Sequence, residues 1–355
     1  MKELMLLQQM SNKYGSDPSY VLAGGGNTSY KTDDTLYVKG SGTSLATIKA
    51  EDFVRMDRAK LSSMWDKSYP ANEAERESAV LSDMMEARKE GESRRPSVET
   101  LLHNLFPQKY ILHVHPASVN GMTCGKNGKD IAKKLFPSSV WVDACRPGYI
   151  LASLCRDMLS AYKNENGCDA NLLFLQNHGV FFAADTIDGI DALVSSVMNS
   201  LNEYAVKAVC EYRNHLCKAM SEITKAPCAE YLFDSDVKSF DPDNNSPTPD
   251  HIVYCKAKYI VIGASDGASE LDSKVKAFEK ANGYMPRVAV VKGDGAVVLG
   301  ADNKQLDTVK KVFLDQVKVY HASCAFGGYL GMSDDLVDFI VNWEVESYRS
   351  KVNNG

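Results

Sequence analysis

The sequence predicts a protein of the α/β or α+β class that is divided into two domains. Segments with the two-residue period of β-strands alternate with segments of helical period in both regions of the chain. The 355 residues exceed the ~150 that are typical of one domain. Apolar residues make up 44% and charged residues 24% of the chain, and these globular values exclude disorder, collagen and coiled coil as descriptions of the whole.

The N-terminal region is predicted to contain strands and amphipathic helices. In chain order these are a helix over residues 73–90, a short helix between Arg95 and Pro107, strands over 110–115 and 172–176, and a long helix from Thr186. Gly91 is expected to follow the first helix as its C-terminal glycine, and Pro107 to stop the second, because proline has no N–H to donate. Apolar residues recur along one side of the long helix, so that side is expected to pack on the core.

A linker is predicted between the two domains. Residues 231–251 are rich in proline, asparagine and aspartate and offer little to pack. We therefore expect domains over 1–230 and 252–355. The second domain is predicted to hold a strand over 252–262, a hairpin of strands 288–291 and 296–299 around a Lys-Gly-Asp-Gly turn, and helices near 303–320 and 334–350.

Charge and cysteine content limit the partners and the compartment. The net charge is −6 and no long basic run occurs, so we expect neither nucleic acid nor an anionic membrane as partner. No stretch approaches the ~20 apolar residues of a membrane span, and the N-terminus lacks the apolar run of a signal peptide. The 9 cysteines form no C-x-x-C pair and are expected to be reduced, mostly buried thiols. These features predict a cytoplasmic protein.

The strongest chemical signal is the pair His113 and His115 on a predicted strand. Side chains two residues apart on a strand point to the same face, so both imidazoles can reach one point. His178 follows another apolar strand in an Asn-His-Gly turn and is a candidate third ligand. Three protein ligands with an open fourth position are typical of a catalytic zinc site. The alternative is a set of ordinary half-buried histidines.

Glu99 is a candidate acid or base for such a site. It is predicted in the first turn of the short helix, where the helix dipole stabilises a carboxylate, and the strand that carries His113 begins a short loop later. Its alternative role is that of an electrostatic cap. His103, four residues further on, is predicted to be structural in preference to a fourth ligand.

Two stretches rich in glycine and hydroxyl groups are candidates for binding an anion. They are Gly24–Ser29 (GGGNTS) and Lys39–Thr43 (KGSGT). Backbone N–H groups freed by glycine, with hydroxyls and a lysine nearby, form anion-binding nests, and Ser97 at a predicted helix N-terminus is a further donor. Neither stretch has the spacing of a dinucleotide or P-loop fingerprint. Two tight turns between strands are the alternative.

In their order and spacing, the motifs GGGNTS, LYVKGSG, RRPSVETLLH with HVHP, and QNHGV resemble the class II aldolase/adducin family. They are most similar to the aldolase part of rhamnulose-1-phosphate aldolase/dehydrogenase fusions. The resemblance covers roughly residues 1–220 and continues more weakly through Pro249–His251 and Glu346–Lys351. It implies a three-layer α/β/α sandwich around a mixed, largely antiparallel sheet, followed by a smaller α/β domain.

The resemblance also implies a zinc-dependent lyase that splits a ketose 1-phosphate of the rhamnulose or fuculose type into dihydroxyacetone phosphate and an aldehyde. Zinc, or another divalent metal, would be bound by His113, His115 and His178, with Glu99 as the acid/base. The positions that correspond to phosphate-binding residues are Asn27, Ser41, Gly42 and Ser97. The chain departs from the simple fuculose-phosphate type at Val98, where that type has a second serine. It also ends without the dehydrogenase domain of the fusions, so the resemblance does not carry over their oxidoreductase label.

Two other functions remain open at this stage. One is a sugar-phosphate 4-epimerase or a dehydratase on the same scaffold; glutamate in place of aspartate at position 99 favours the aldolase over the epimerase. The other is a non-catalytic, adducin-like module, which the presence of all three histidines and Glu99 disfavours. The resemblance also implies a small phosphorylated sugar as substrate and a symmetric homo-oligomer, with a tetramer favoured.

Overall fold

The computed structural model of the chain describes residues 2–342. Its helices are α1 (Lys2–Gly15), α2 (Arg58–Ser63), α3 (Glu73–Glu86), α4 (Thr100–Leu105), α5 (Ala117–Thr123), α6 (Gly128–Leu135), α7 (Tyr149–Asn166), α8 (Ile187–Thr224), α9 (Ser235–Lys238), α10 (Pro249–Cys255), α11 (Ala268–Asn282), α12 (Asn303–Ser323) and α13 (Asp334–Asn342). Its strands are β1 (Asn27–Lys31), β2 (Thr35–Val38), β3 (Val54–Asp57), β4 (Tyr110–Val114), β5 (Val140–Val142), β6 (Leu172–Leu175), β7 (Gly179–Ala184), β8 (Cys228–Leu232), β9 (Ile260–Val261), β10 (Val288–Val291) and β11 (Gly295–Gly300).

The chain divides into two compact units, Met1–Tyr204 and Ala205–Gly355. The division falls within α8, whereas composition predicts a linker at 231–251. In that segment the structure has the end of β8 and the helix α9, in which Val237 is buried. The domain boundaries at 230 and 252 stay a prediction.

A seven-stranded sheet forms the first unit, in the order β3-β2-β1-β4-β7-β6-β5. All neighbouring strands are antiparallel except β5 and β6, which are parallel. Successive residues of β4 point to opposite faces, so Ile111 and Leu112 belong to different buried clusters. Residues of α3, α4 and α7 pack in the cluster of Ile111, and residues of α1, α5 and α8 pack in that of Leu112. These three layers confirm the predicted fold class.

The second unit has its own four-stranded sheet, in the order β8-β11-β10-β9. The pair β9–β10 is parallel, and the other neighbours are antiparallel. The predicted hairpin is confirmed, since β10 and β11 pair from Val291↔Gly295 onward. Helix α12 packs on one face of this sheet and α11 on the other.

Several local predictions from the sequence are wrong. The predicted strand over 252–262 is the helix α10 followed by the short strand β9, because Pro249 occupies the first turn of a helix and fixes its φ angle favourably. The helix predicted over 73–90 is α3, which ends at Glu86. Beyond it, Arg88 forms an isolated β-bridge with Met56 of the edge strand β3. Only Cys155 and Cys255 are buried, and the nine cysteines form no disulfide.

The last predicted helix is described only in part. Helix α13 matches the beginning of the predicted segment 334–350. The rest of that segment, with the motif at Glu346–Lys351, lies outside the described residues. Within residues 2–342, no helix combines the length and the apolar character needed to span a bilayer.

Candidate metal centre and anion-binding loops

His113 and His115 lie at the end of the central strand β4. His113 is fully buried, and its ring stacks on Phe181 of the neighbouring strand with 4.1 Å between centroids. Its Nδ1 donates to the carbonyl of Val180 at 3.0 Å, so the ring proton is held on Nδ1 and the Nε2 lone pair is free. The Nε2 atoms of His113 and His115 are 2.9 Å apart, as expected for side chains on one face of a strand.

His178 is presented by the tight turn between β6 and β7. Asn177 before it has φ +58°, a left-handed conformation that asparagine tolerates better than most residues. Gly179 after it makes room for the histidines, since a Cβ there would lie 2.5 Å from His115 Cδ2. The ring of His178 is 5.0 Å from those of both His113 and His115, centroid to centroid.

The three histidines form a set that fits one divalent cation. One nitrogen from each ring lies within 4.8 Å of the other two. Burial lowers the pKa of His113 to about 3 and that of His115 to about 4, so both rings are neutral at physiological pH. Neutral imidazole nitrogens are the ligands that zinc and related divalent metals prefer. The histidines that the sequence singles out are therefore brought together.

Glu99 faces the same point. It is the residue just before α4, and its Oε1 lies 3.4 Å from Nε2 of both His113 and His178. Burial raises the pKa of the Glu99 carboxyl, against the opposing effects of the histidines, Asn27 and Lys39. The sequence predicts Glu99 in the first turn of this helix, whereas the residue is the N-cap of a helix of only 6 residues, and burial has the larger effect on its pKa.

His103 is held in a separate environment. It is fully buried, and its Nδ1 shares a hydrogen bond with the hydroxyl of Ser29 at 2.8 Å. Its ring packs edge-on against Phe181. These contacts support the structural role predicted from the sequence.

The candidate phosphate-binding residues lie on segments joined by backbone hydrogen bonds. The N–H of Ser97 donates to the carbonyl of Lys39 at 3.1 Å, and that of Ser41 to the carbonyl of Arg95 at 2.9 Å. Gly42 has φ +82°, which favours glycine, and Ser41 and Gly42 are both exposed. The N–H of Lys39 donates to the carbonyl of Thr28 at 3.1 Å, so both stretches and Ser97 lie next to one another.

Asn27 plays a part that sequence reasoning missed. It is paired with His113 across β1 and β4, and its side-chain amide donates a hydrogen bond to Glu99 Oε2. The Nδ2 of Asn27 is thus directed to the carboxylate. The sequence signal was the glycine-rich run just before β1, but only the strand register brings Asn27 to His113.

Val98 and Tyr149 line a separate cavity. The cavity has a volume of about 460 Å³ and mainly apolar walls, which include Leu101 and Met84. Val98 is 55% exposed and points into this space, and Tyr149 packs against the rings of Trp65 and Tyr69. The residue that departs from the fuculose-phosphate pattern therefore belongs to an apolar surface.

The N-terminal part of the chain matches a known protein family. Residues 7–198 match the family described as class II aldolase and adducin N-terminal domain. The chain is 22% identical over 401 residues to the uncharacterized oxidoreductase YuxG of Bacillus subtilis (strain 168), covering 96% of this chain and 57% of that protein. It thus spans little more than half the length of that relative.

Two solved structures are also similar to part of this chain. The N-terminal class II aldolase domain of a conserved protein from Thermoplasma acidophilum is 26% identical, with a TM-score of 0.47, and covers 56% of this chain and 92% of its own. An L-fuculose 1-phosphate aldolase is 17% identical, with a TM-score of 0.38, and covers 57% of this chain and 85% of its own. Since the family match takes in more than half of the sequence, the chain belongs to the class II aldolase and adducin family.

Proposed function

We propose that the protein is a zinc-dependent lyase that cleaves a ketose 1-phosphate into dihydroxyacetone phosphate and an aldehyde. The observation that carries this proposal is the convergence of Glu99 on the imidazoles of His113, His115 and His178. Family membership supports a lyase of this class. A deoxy-ketose 1-phosphate of the rhamnulose or fuculose type is the substrate that we propose.

His113, His115 and His178 would hold the cation. Each imidazole offers one ring nitrogen as a ligand, and the hydrogen bond from His113 Nδ1 to Val180 fixes the orientation of one of them. A zinc ion bound there supplies a Lewis acid that stabilises the negative charge left on the ketose fragment when its carbon–carbon bond breaks.

Glu99 would transfer the proton. A raised pKa brings a carboxyl group closer to neutral pH, where it can both accept and release a proton. The amide of Asn27 holds Oε2, so that Oε1 is the oxygen directed at the histidines. In this proposal Asn27 orients the carboxylate and has no proton-transfer role of its own.

Ser41, Gly42 and Ser97 would anchor the phosphate of the substrate, together with the backbone around Asn27. Such an anchor lies away from the bond that breaks and converts binding energy into orientation of the sugar. The hydroxyl of Ser97 is already close to the site, since the N–H of Glu99 lies 3.4 Å from its Oγ.

The decisive experiment is the release of dihydroxyacetone phosphate from a panel of ketose 1-phosphates. Zinc-loaded protein is assayed with and without chelator, and the ketoses without phosphate serve as matched controls. We expect release that chelator abolishes and zinc restores. No release from any member of the panel by folded, zinc-loaded protein would contradict the proposal, and a change of configuration at C4 or loss of water would favour the epimerase or dehydratase instead.

We also propose a cytoplasmic homo-oligomer, with a tetramer favoured. Light scattering coupled to size-exclusion chromatography gives the mass in solution directly. A monomer of 39.0 kDa at micromolar concentration would contradict this proposal.

A further inference from the structure

Phe181 lies directly beside His113 in the seven-stranded sheet. The two residues are paired across β7 and β4, and both are fully buried. Their rings are stacked, with centroids 4.1 Å apart and planes 17° apart. Side chains of opposite residues in an antiparallel pair are close enough to interact, so the strand register itself brings the two rings together. The phenyl ring therefore covers one face of the His113 imidazole.

The other contacts of the His113 ring leave its tilt open. Its Nδ1 donates to the carbonyl of Val180 at 3.0 Å. This hydrogen bond fixes the position of one atom, but the ring is still able to tilt about it, because a hydrogen bond tolerates a range of angles. The rings of His115 and His178 stand at 74° and 87° to the His113 ring. Within residues 2–342, Phe181 is the aromatic side chain that lies nearly parallel to this imidazole and limits its tilt.

Phe181 is itself held by other rings. Phe106 stacks on it at 5.8 Å with planes 22° apart, and His103 meets it at 5.5 Å with planes 70° apart. Nδ1 of His103 shares a hydrogen bond with the hydroxyl of Ser29 at 2.8 Å, which anchors that ring in turn. A side chain packed at interior density cannot rotate without displacing its neighbours. Phe181 is therefore a rigid support for the imidazole.

We propose that Phe181 is a positioning residue for the metal, because its ring sets the plane of the His113 imidazole. The lone pair of Nε2 lies in that plane, so a tilt of the ring would turn the lone pair away from the point that His115 and His178 share. Groups that orient a metal ligand contribute to the affinity for the ion although they do not touch it. The inference rests on the proposed function for the binding of a divalent cation, but not for the sugar or the reaction.

The test measures the zinc affinity of Phe181→Leu in native buffer, by competition with a chelator of known affinity. Leucine keeps an apolar side chain at the buried position but has no flat ring to stack on the imidazole. We expect zinc to bind about 10-fold more weakly, the lower end of the ~10- to 100-fold cost of losing groups that orient metal ligands. Co²⁺ is the second probe, since its visible absorption reports the geometry of the ligands, and we expect a spectrum that differs from that of the wild type.

Phe182→Leu is the matched control. Phe182 is the next residue of β7 and is also fully buried, but it points to the opposite face, where it packs in the cluster of Leu112. Both variants remove the same ring from the same strand, so we expect similar decreases in the urea midpoint of the metal-free protein. Only the Phe181 variant should lose zinc affinity. Phe181→Ile, whose branched side chain suits a strand, is a second replacement for which we expect the same loss.

Unchanged zinc affinity and an unchanged Co²⁺ spectrum in folded Phe181→Leu or Phe181→Ile would overturn the inference. An equal loss of zinc affinity in Phe182→Leu would do so as well, because the effect would then follow from lost packing anywhere in β7. In native buffer all variants are folded before metal is added, so a lower stability alone does not change the measured affinity.

The measurement also separates this inference from the proposed function. Zinc binding needs no turnover, so weaker binding in the Phe181 variants supports the inference even where the wild type cleaves no ketose 1-phosphate. Conversely, cleavage by the wild type with unchanged zinc affinity in Phe181→Leu would leave the lyase in place and remove Phe181 from its metal site. A folded wild type that binds neither Zn²⁺ nor Co²⁺ would overturn both.

Discussion

Replacement of Gly179 by alanine tests the packing of the histidine set more directly than removal of a histidine. A Cβ at position 179 would lie 2.5 Å from Cδ2 of His115 and 2.7 Å from the carbonyl oxygen of Val114. Carbon atoms in favourable contact are ~3.5–4.0 Å apart, so the neighbours must retreat by about 1 Å. Val114 belongs to a central strand, and its backbone cannot move without disturbing the pairing with β7. The displacement therefore falls largely on the ring of His115.

Gly179→Ala should lower both the stability of the metal-free protein and its affinity for zinc. Overpacking of a buried site destabilises proteins by ~1–3 kcal/mol, and we expect that range for Gly179→Ala without metal. Loss of orienting contacts around a metal ligand weakens binding by about 10- to 100-fold, and we expect the same for zinc. Urea unfolding of the metal-free protein measures the first quantity, and competition with a chelator of known affinity measures the second.

Gly121→Ala is the matched control. Gly121 lies in α5, and a Cβ there would meet no atom within 4 Å outside its own helix. Alanine in a helix is favoured over glycine by ~0.5–1 kcal/mol, so this variant should be slightly more stable and bind zinc normally. If Gly179→Ala unfolds and binds zinc like the wild type, the steric argument about His115 is wrong.

Three further predictions concern the site itself. Glu99→Gln should keep its zinc but lose activity by about 10²- to 10⁴-fold, the usual contribution of an acid/base group; steady-state rates at confirmed zinc content measure this. His178→Ala should purify with little zinc, because two imidazoles are left to hold the ion, and elemental analysis gives the occupancy. Metal-free protein should lose stability as the pH falls below about 6.5, because the pKa of His113 is lowered to about 3 and the unfolded chain binds the extra proton; urea unfolding between pH 7.5 and 5 follows it.

The pH prediction needs a background in which Glu99 does not titrate. The pKa of Glu99 is raised, so its protonated form favours the folded state and its contribution has the opposite sign. In Glu99→Gln the slope should approach ~1.4 kcal/mol per pH unit for each lowered histidine well below pH 6.5. A flat profile there would contradict the burial of neutral histidines. Normal zinc in His178→Ala, or full activity in Glu99→Gln, would remove those residues from their proposed roles.

The candidate metal-ligating histidines could be predicted from the sequence because local backbone geometry determines where their side chains point. The two-residue period of a strand is enough to place His113 and His115 on one face. The Asn-His-Gly turn after an apolar strand is equally local, since asparagine and glycine suit the tight turn between β6 and β7. The alternation of strands and helices predicted the α/β fold class, and the family resemblance predicted the three-layer arrangement.

The features that were missed depend on contacts between distant segments. The hydrogen bond from Asn27 to Glu99 requires the register in which Asn27 lies opposite His113, and no local pattern specifies that pairing. Helix α10 was missed because apolar residues that follow Pro249 suit a buried strand as well as a helix, and the first-turn proline decides between them.

The placement of the histidine-bearing strands has a consequence for how the protein gains and loses its ion. β4 is the middle strand of seven, hydrogen-bonded to β1 on one side and to β7 on the other. Local fraying seldom reaches such a strand, so its amide hydrogens should exchange only through global unfolding, whether or not metal is bound. The ion would then bind to and dissociate from a site that is already folded. Removal of the metal should change the free energy of unfolding without unfolding the sheet that carries the histidines.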